Sequence, residues 1–265
     1  MNAAFPSYIK LAAFDLDGVV YTGMRPVPGA AETIDTLRKR GVQIRFLTNN
    51  SARSRQEIVD RLNGFGVGCV LDEIYTSSHA ALEYVRSSSN GGRRVFVLGQ
   101  PYLSDEFRSA GFTVGVEPPY DFFVMGFKMD FNYEDIARGF EALEHSRTFV
   151  ICNRDRLFPV EGGKLRPASG SMVAALETAS GRKPNMEIGK PNTYMLERIA
   201  EKRQLAPREI MMVGDSLASD MRMAVDFGAF SVHVDSSRLH AYEKAAQTET
   251  IHPDLTVRSI AELIV

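Results

Sequence analysis

Short apolar segments alternate along the chain with segments of helical periodicity, and this order narrows the fold to few classes. Ile9–Phe14 is an apolar run that ends in Asp15-Leu16-Asp17-Gly18, which is typical of a buried strand entering a turn. Pro28-Gly29 begins a helical segment, Val42–Leu47 forms the next strand, and Ser54 with Glu57 matches a capping box before another helix. Such βαβα order predicts a mostly parallel, doubly wound sheet covered by helices.

A second α/β unit interrupts this pattern. Ser87–Gly92 is the most linker-like stretch of the chain, and the strands and helices after it form a block of their own. The first pattern resumes after Gly181. At 265 residues the chain is near the size at which single cores divide. We therefore predict a core formed by residues 1–81 and 184–265 and an inserted α/β domain formed by residues 82–183.

Composition excludes several classes of partner. Lys and Arg number 31 against 33 Asp and Glu, so the net charge of −2 lacks the basic excess of a nucleic-acid-binding protein. The apolar runs are far shorter than the roughly 18 residues that a membrane span needs, and Met1–Ser7 lacks the features of a secretory signal. Two cysteines, Cys69 and Cys152, favour a reducing compartment. We expect a cytoplasmic protein without nucleic-acid or membrane partners.

Asp15 and Asp17 follow the first predicted strand at its carboxyl end, where ligands bind in open α/β sheets. Residues two apart at a strand end point to the same side, so both carboxylates can share one site. A divalent cation would remove their mutual repulsion. The pair alone is a weak signal, because solvated aspartates are common at strand ends.

Three other segments bring polar groups to the same edge of the predicted sheet. They are Thr48-Asn49-Asn50, Gly189-Lys190-Pro191, and Gly214-Asp215-Ser216 with Asp220. Separately, each has an ordinary structural interpretation as a turn, a helix start or an N-cap. Together they supply carboxylates, neutral donors and one cation, which is the set of groups that phosphoryl transfer requires.

These four segments, in this order, resemble the motifs of the haloacid dehalogenase superfamily. The forms Asp15-Leu-Asp17-Gly18-Val-Val-Tyr21 and Thr48-Asn49-Asn50-Ser51 are similar to those of its class IIA branch, the NagD-type or p-nitrophenylphosphatase-like phosphatases. The resemblance covers essentially the whole chain. It implies a Rossmann-like core with an α/β cap inserted between the second and third motifs.

The resemblance also implies a Mg²⁺-dependent phosphatase that hydrolyses a small phosphomonoester through an aspartyl-phosphate. Asp15 would be the nucleophile, and Asp17 would protonate the leaving oxygen and then activate water. Oxygen ligands suit Mg²⁺ better than zinc. The residues implied to bind the phosphoryl group are Thr48, Asn49, Asn50 and Lys190; those implied to bind Mg²⁺ are Asp15, Asp17 through its backbone carbonyl, and Asp215, with Ser216 and Asp220 supporting the metal.

The sequence does not name the substrate. The resemblance allows a sugar phosphate, phosphoglycolate, glycerol phosphate, a nucleoside monophosphate or pyridoxal phosphate, and it is compatible with a cap-mediated homodimer. In the cap, Asn153 and Asp155 after a strand, and Ser171 at a helix start, are candidate substrate contacts. Their ordinary interpretation is as turn and N-cap residues, and Ser169 and Ser171 are both candidates for that helix N-cap.

A non-catalytic metabolite-binding module or a phospho-accepting receiver is the alternative function. A receiver also uses an aspartate, Mg²⁺ and a lysine. It has no need of an acid/base such as Asp17 placed to hydrolyse its own phosphoryl group, nor of a large insertion enclosing a substrate. Both features favour the phosphatase.

Overall fold

The fold is built on two parallel β-sheets, each covered by helices. The structure is a computed structural model that describes residues 5–115, 117–160, 164–235 and 251–264. Across those ranges, no helix combines the length and the apolar character that crossing a membrane requires.

The first sheet has six strands, and each runs parallel to its neighbours. In spatial order they are β15 (Leu255–Val257), β14 (Phe230–Val234), β13 (Ile210–Gly214), β1 (Leu11–Phe14), β4 (Gln43–Thr48) and β5 (Ile74–Thr76). The chain winds outward from β1 to β5 on one side and from β13 to β15 on the other. The winding therefore reverses between β1 and β13, and ligands of doubly wound sheets bind outside the carboxyl ends of the strands at such a reversal.

The central strand β1 shows why helices cover both faces of this sheet. All four of its side chains are fully buried, with Ala12 and Phe14 in one apolar cluster and Leu11 and Ala13 in another. Full burial of a side chain such as Phe14 contributes about 1.5–3 kcal/mol. The helices on the Phe14 face are α1 (Ala30–Lys39) and α2 (Arg55–Gly64), and those on the Leu11 face are α3 (Ser77–Ser88), α7 (Tyr194–Arg203) and α8 (Arg222–Phe227).

The second sheet has five parallel strands and its own aromatic core. Phe123 and Phe149 pack edge to face beneath α5 (Tyr133–Glu144) and α6 (Ser169–Ser180), with ring centroids 5.2 Å apart. Its other face packs on α4 (Pro101–Ser109) and joins the apolar cluster around α3. In spatial order the strands are β12 (Met186–Glu187), β9 (Ser146–Ile151), β8 (Tyr120–Met125), β6 (Arg94–Leu98) and β7 (Thr113–Val114).

Two antiparallel hairpins complete the described strands. They are formed by β2 (Tyr21–Thr22) with β3 (Arg25–Pro26) and by β10 (Leu157–Val160) with β11 (Lys164–Pro167). The predicted α/β fold, a doubly wound core with an inserted α/β cap, is confirmed.

The structure adds detail at the two points where the chain passes between the sheets. Leu82 lies inside α3, so the predicted boundary at residue 82 falls within one continuous helix. Met186 and Glu187 pair with β9 of the second sheet, although they follow the predicted boundary at residue 183. The division into domains stays a prediction, and we propose to place its second boundary after Glu187.

Candidate active site

Four polar side chains meet at the carboxyl edge of the first sheet, where its winding reverses. Asp15 directly follows β1 and Asp215 directly follows β13, the adjacent strand. Thr48 is the last residue of β4, on the other side of β1, and Lys190 follows β12. All four are buried. The topology thus collects residues that are up to 200 positions apart in the sequence.

The ammonium of Lys190 lies between two carboxylates. Its Nζ is 2.6 Å from Oδ1 of Asp15 and 2.7 Å from Oδ1 of Asp220. Burial raises the pKa of Asp15 to about 7, and the charge of Lys190 opposes that shift. Burial alone would lower the pKa of Lys190, but the two carboxylates outweigh it and raise the pKa above its ordinary value. Lys190 is therefore held as a cation.

Asp15, Asp215 and Asp220 form a compact carboxylate cluster. Each offers one oxygen, and these oxygens all lie within 4.8 Å of one another. Three carboxyl groups so close together in a buried site repel one another when ionised, and the ammonium of Lys190 contacts two of them. Hard oxygen donors with this charge fit a divalent cation.

Two glycines permit this close approach. Gly18 has φ +84°, and a Cβ there would lie 2.6 Å from Cγ of Asp215. A Cβ on Gly214 would overlap the side chain of Asp220. Any larger residue at either position would displace a carboxylate of the cluster.

A π-helical turn over Leu217–Met221, rather than a straight α-helix, brings Asp220 back toward the sheet. Ser216 begins the turn, and its Oγ accepts from the Ser219 N–H at 3.1 Å. The Ser216 N–H in turn donates to Oδ2 of Asp220 at 3.1 Å. Ser216 thus orients Asp220 through its backbone and caps the turn through its hydroxyl. The sequence pattern predicts one helix over Leu217–Phe227, whereas the structure has this π-turn followed by α8. π-Turns of this kind are common at functional sites.

Asp17 is half-buried beside the cluster, in a loop joined by a backbone bridge to Tyr21. Burial raises the pKa of its carboxyl above the ordinary value, against the opposing charges of Arg61 and Arg53. Arg61 lies over the Tyr21 ring, 4.4 Å from its centroid. A carboxyl with a raised pKa is suited to donate a proton near neutral pH.

The loop after β4 is shaped by its own side chains. Oγ1 of Thr48 accepts from the Asn50 N–H at 3.1 Å. Oδ1 of Asn50 accepts from the N–H groups of Ala52 and Arg53 at 2.9 and 3.0 Å. In these bonds the Thr48 hydroxyl acts only as an acceptor, so its hydrogen is not used by them.

Asn49 makes contacts that the sequence did not predict. Its Nδ2 donates to the carbonyl oxygen of Lys190 and to Oδ1 of Asp155, at 3.0 and 2.8 Å, and its Oδ1 accepts from the Lys190 N–H at 2.8 Å. Both amide hydrogens are thereby used within the protein. Any donation from Asn49 to a phosphoryl group therefore comes from its backbone.

The candidate cap residues separate into two groups. Asn153 and Asp155 reach the site, where Asn153 Nδ2 donates to the carbonyl oxygen of Asn49 at 2.7 Å. Ser171 is exposed in the first turn of α6. The expectation that Ser169 or Ser171 caps this helix is wrong, because the N-cap is Ala168, which makes no side-chain capping bond. The capping box of Ser54 and Glu57, by contrast, is confirmed.

Sequence reasoning missed two residues next to the site. His233 is buried in β14, and its Nε2 lies 3.2 Å from the backbone oxygen of Asp215. Arg61, in α2, is the cation with the largest influence on Asp17. For His233 the usable signal was its place near the carboxyl end of a strand beside β13. Arg61 gave no such signal, because its proximity arises from helix packing.

Comparison with known proteins identifies the family. Residues 12–113 match the model of the haloacid dehalogenase-like hydrolases, and residues 187–263 match a second model described as HAD-hydrolase-like. Mouse chronophin is 34% identical over 95% of this chain and 90% of its own, and sugar-phosphatase AraL of Bacillus subtilis is 32% identical over 94% and 90%.

Solved structures support the same family assignment. A 4-nitrophenylphosphatase from Thermotoga maritima superposes with a TM-score of 0.87 at 30% identity, covering 97% of both chains. A glycerol phosphate phosphatase from Mycobacterium tuberculosis, solved in complex with magnesium, gives 0.84 at 27% identity over 97% of this chain and 76% of that one. The fold and the site are those of a hydrolase with an aspartate-rich centre. The chain belongs to the haloacid dehalogenase-like hydrolases, in the class IIA branch of NagD-type phosphatases.

Proposed function

We propose that the protein is a Mg²⁺-dependent phosphatase that hydrolyses a small phosphomonoester through an aspartyl-phosphate on Asp15. The observation that carries the proposal is the environment of this carboxylate. It lies 2.6 Å from a buried ammonium and within 4.8 Å of two further carboxylates, at the edge of the sheet where ligands bind.

Mg²⁺ fits the donor set. Asp15, Asp215 and the backbone carbonyl of Asp17 would hold it, and Asp220 would orient the others through its bond to the Ser216 N–H. All of these donors are oxygens, which Mg²⁺ prefers, and Gly18 keeps the space in front of Asp215 open. When bound, the ion supplies positive charge against the phosphate oxygens and against the cluster itself.

Asp15 and Asp17 carry out the two half-reactions. A carboxylate oxygen of Asp15 forms a bond to phosphorus while the bond from phosphorus to the ester oxygen breaks, and Asp17 gives its proton to that oxygen. Water then attacks the phosphorus and gives a proton to Asp17, which releases inorganic phosphate and restores the Asp15 carboxylate. The raised pKa of Asp17 suits the first step, because the residue must begin the cycle protonated.

The transferring group is held by the loop after β4 and by Lys190. The Thr48 hydroxyl and the backbone N–H of Asn49 would donate to phosphoryl oxygens, and Asn50 fixes the loop by accepting two backbone N–H bonds. Lys190 offsets the charge of the nucleophile and of the phosphoryl group.

A small phosphorylated metabolite is the proposed substrate. The relatives named above include a sugar-phosphatase and a glycerol phosphate phosphatase, which supports this class without choosing a member. Sugar phosphates, phosphoglycolate, glycerol phosphate, nucleoside monophosphates and pyridoxal phosphate all remain candidates. Arg53, exposed near Asp17, places positive charge at the site and favours an anionic substrate.

We also propose a cytoplasmic location and a homodimer. Cys69 and Cys152 are both free and buried, which suits a reducing compartment. For the dimer, Met129 and Tyr133 expose apolar surface on the cap at 60% and 82% of their area. Sedimentation velocity of the purified protein tests the dimer.

Turnover of p-nitrophenyl phosphate tests the function. Activity should require Mg²⁺, disappear in EDTA and return when Mg²⁺ is added in excess. Asp15→Asn should retain the fold by circular dichroism and lose nearly all turnover, because an amide is a poor nucleophile and a poor metal ligand. Metal-independent turnover, or a fully active Asp15→Asn variant, would refute the proposal.

A further inference from the structure

A hydrogen bond joins the cap to the core next to the backbone of Lys190. The contact passes through Asn49, whose carboxamide binds both the N–H and the carbonyl oxygen of Lys190, at 2.8 and 3.0 Å. This paired contact fixes the backbone from which the Lys190 side chain extends. The remaining amide hydrogen of Asn49 donates to Oδ1 of Asp155, a residue of the second sheet's block, at 2.8 Å.

Asp155 and the backbone of Lys190 together select which way the Asn49 carboxamide faces. An amide can be turned over so that its oxygen and nitrogen exchange places, and only the hydrogen-bond partners choose between the two orientations. Turned over, Asn49 would place its oxygen against the Asp155 carboxylate and against the Lys190 carbonyl oxygen, two acceptors that repel it. The carboxylate of Asp155 therefore adds to the preference for the orientation in which Asn49 holds both backbone groups of Lys190.

The surroundings leave this junction little freedom. Asn153 Nδ2 and Ser77 Oγ both donate to the carbonyl oxygen of Asn49, at 2.7 and 2.8 Å. Gly189, the residue before Lys190, has no room for a side chain. A Cβ there would lie 2.5 Å from Oδ1 of Asn49 and 2.7 Å from the carbonyl oxygen of Cys152. The loop after β4, the segment that contains Lys190 and the residues that follow β9 therefore meet with no room for an added side chain.

We propose that Asp155 is a positioning residue of the active site: through Asn49 it holds the backbone of Lys190, and so keeps the ammonium between Asp15 and Asp220. This inference rests on the proposed function. It assigns to Asp155 a role other than the substrate contact that the sequence suggested. It also means that the position of the Lys190 ammonium depends on how the cap packs on the core, although Asp155 and Lys190 are 35 residues apart in the sequence.

The test compares Asp155→Ala with Asp155→Asn. Alanine removes the acceptor, whereas asparagine keeps an oxygen that accepts from Asn49. We expect kcat to fall about 10- to 100-fold in Asp155→Ala, since a displacement of about 1 Å in a catalytic group can cost a factor of this size. Asp155→Asn should recover most of that loss. An Asn variant as slow as the Ala variant would overturn the proposal, because it would show that the charge or the proton of Asp155 is needed.

The dependence on substrate separates positioning from substrate contact. Lys190 acts on the nucleophile, so the fall in kcat should be the same factor for p-nitrophenyl phosphate and for glycerol phosphate. A loss that differs between the two would identify Asp155 as a contact to the leaving group and would overturn the proposal. Asp121→Ala is the matched control: this cap aspartate accepts from the Arg94 N–H at 3.0 Å but lies away from the junction, and its loss should leave kcat unchanged.

Crystal structures give a readout that does not depend on turnover. In Asp155→Ala the distance from Lys190 Nζ to Asp15 should exceed that in the wild type, whereas in Asp121→Ala it should not. If the wild type proves inactive, the proposed function fails, and this distance alone decides the positioning role. An unmoved lysine in Asp155→Ala would overturn it. Should Asp155→Ala not fold, Asn49→Asp serves instead, because its carboxylate would repel the same two acceptors and should displace Lys190.

Discussion

Replacing Lys190 by methionine removes the ammonium at the centre of the site while keeping most of its aliphatic chain. The change leaves the carboxylates of Asp15 and Asp220, at 8% and 1% exposure, without the cation that lies 2.6 and 2.7 Å from them. Removing one partner of a buried ion pair typically costs about 3–5 kcal/mol, because the other charge stays buried and unpaired.

Protonation sets a limit to this cost. A carboxylate that cannot remain ionised binds a proton instead. In the wild type the pKa of Asp15 is already raised to about 7, so binding this proton costs little at pH 7 and about 3 kcal/mol at pH 9, at about 1.4 kcal/mol per pH unit. In the metal-free protein we therefore expect Lys190→Met to lower the free energy of unfolding by about 3 kcal/mol at pH 9 and by less at pH 7.

The same argument fixes the sign of the pH dependence. In Lys190→Met the folded-state pKa of the orphaned carboxyl rises further above its unfolded value. The stability gained from the bound proton is complete below the unfolded pKa and declines as pH rises toward the folded one. Because the wild-type Asp15 carboxyl, with its pKa of about 7, already binds its proton below neutral pH, the gap between variant and wild type should widen by up to about 1.4 kcal/mol per pH unit above about pH 7 and stay nearly constant below it.

Urea unfolding in EDTA, followed by circular dichroism at several pH values, measures both quantities. Lys183→Met is the control, since Lys183 is 79% exposed and its ion pair with Glu177, at 3.0 Å, should contribute at most about 1 kcal/mol. A Lys190→Met loss no larger than the control, or one independent of pH, would refute the electrostatic account of the site.

Two other substitutions test the backbone and a second titrating group. Gly18→Ala should abolish the rise in Tm that Mg²⁺ causes, because its Cβ would displace Asp215. Gly41→Ala is the control: its φ of +83° gives the same backbone strain, but no atom lies within 4 Å of the added Cβ, so the rise in Tm should remain. Burial lowers the pKa of His79, but hydrogen bonds to two glutamates, each 3.3 Å from a ring nitrogen, outweigh it and raise the pKa above 6.5. Protonated His79 therefore stabilises the fold below that pH and loses this effect as pH rises through the folded-state pKa. Urea unfolding should show that His79→Gln lowers the free energy of unfolding more at pH 5.5 than at pH 9. An equal loss at both pH values would contradict the assignment.

The sequence predicted those parts of the structure that follow from strand order. Asp15 and Asp215 are brought together because the neighbouring strands β1 and β13 end at one edge, and a motif at the end of each buried strand is enough to anticipate this. Lys190 reaches them from the segment after β12 of the second sheet, and Asp220 from the π-turn after β13. Their chemical roles remain predictions, as do those of Asp17, Thr48, Asn49 and Asn50.

The contacts of the cap could not be predicted in the same way. Asn49 and Asp155 are 106 residues apart, and their hydrogen bond depends on how one folded unit packs on another, which no local pattern records. The π-turn before α8 was missed because Leu217–Phe227 has the periodicity of an ordinary helix. The turn is accompanied by the hydrogen bond from the Ser216 N–H to Asp220, which periodicity does not reveal. The absence of a capping bond at Ala168 shows the same limit, since serines near a helix start need not occupy its N-cap.

Mass spectrometry of the protein during turnover tests the central claim most directly. The wild type, quenched in acid while hydrolysing p-nitrophenyl phosphate with Mg²⁺, should carry one phosphoryl group on the peptide that contains Asp15. The modification should accumulate in Asp17→Asn, which lacks the base for the second step, and should be absent from Asp15→Asn. A phosphoryl group on any other residue, or sustained turnover by Asp15→Asn, would contradict the assignment of Asp15 as the nucleophile.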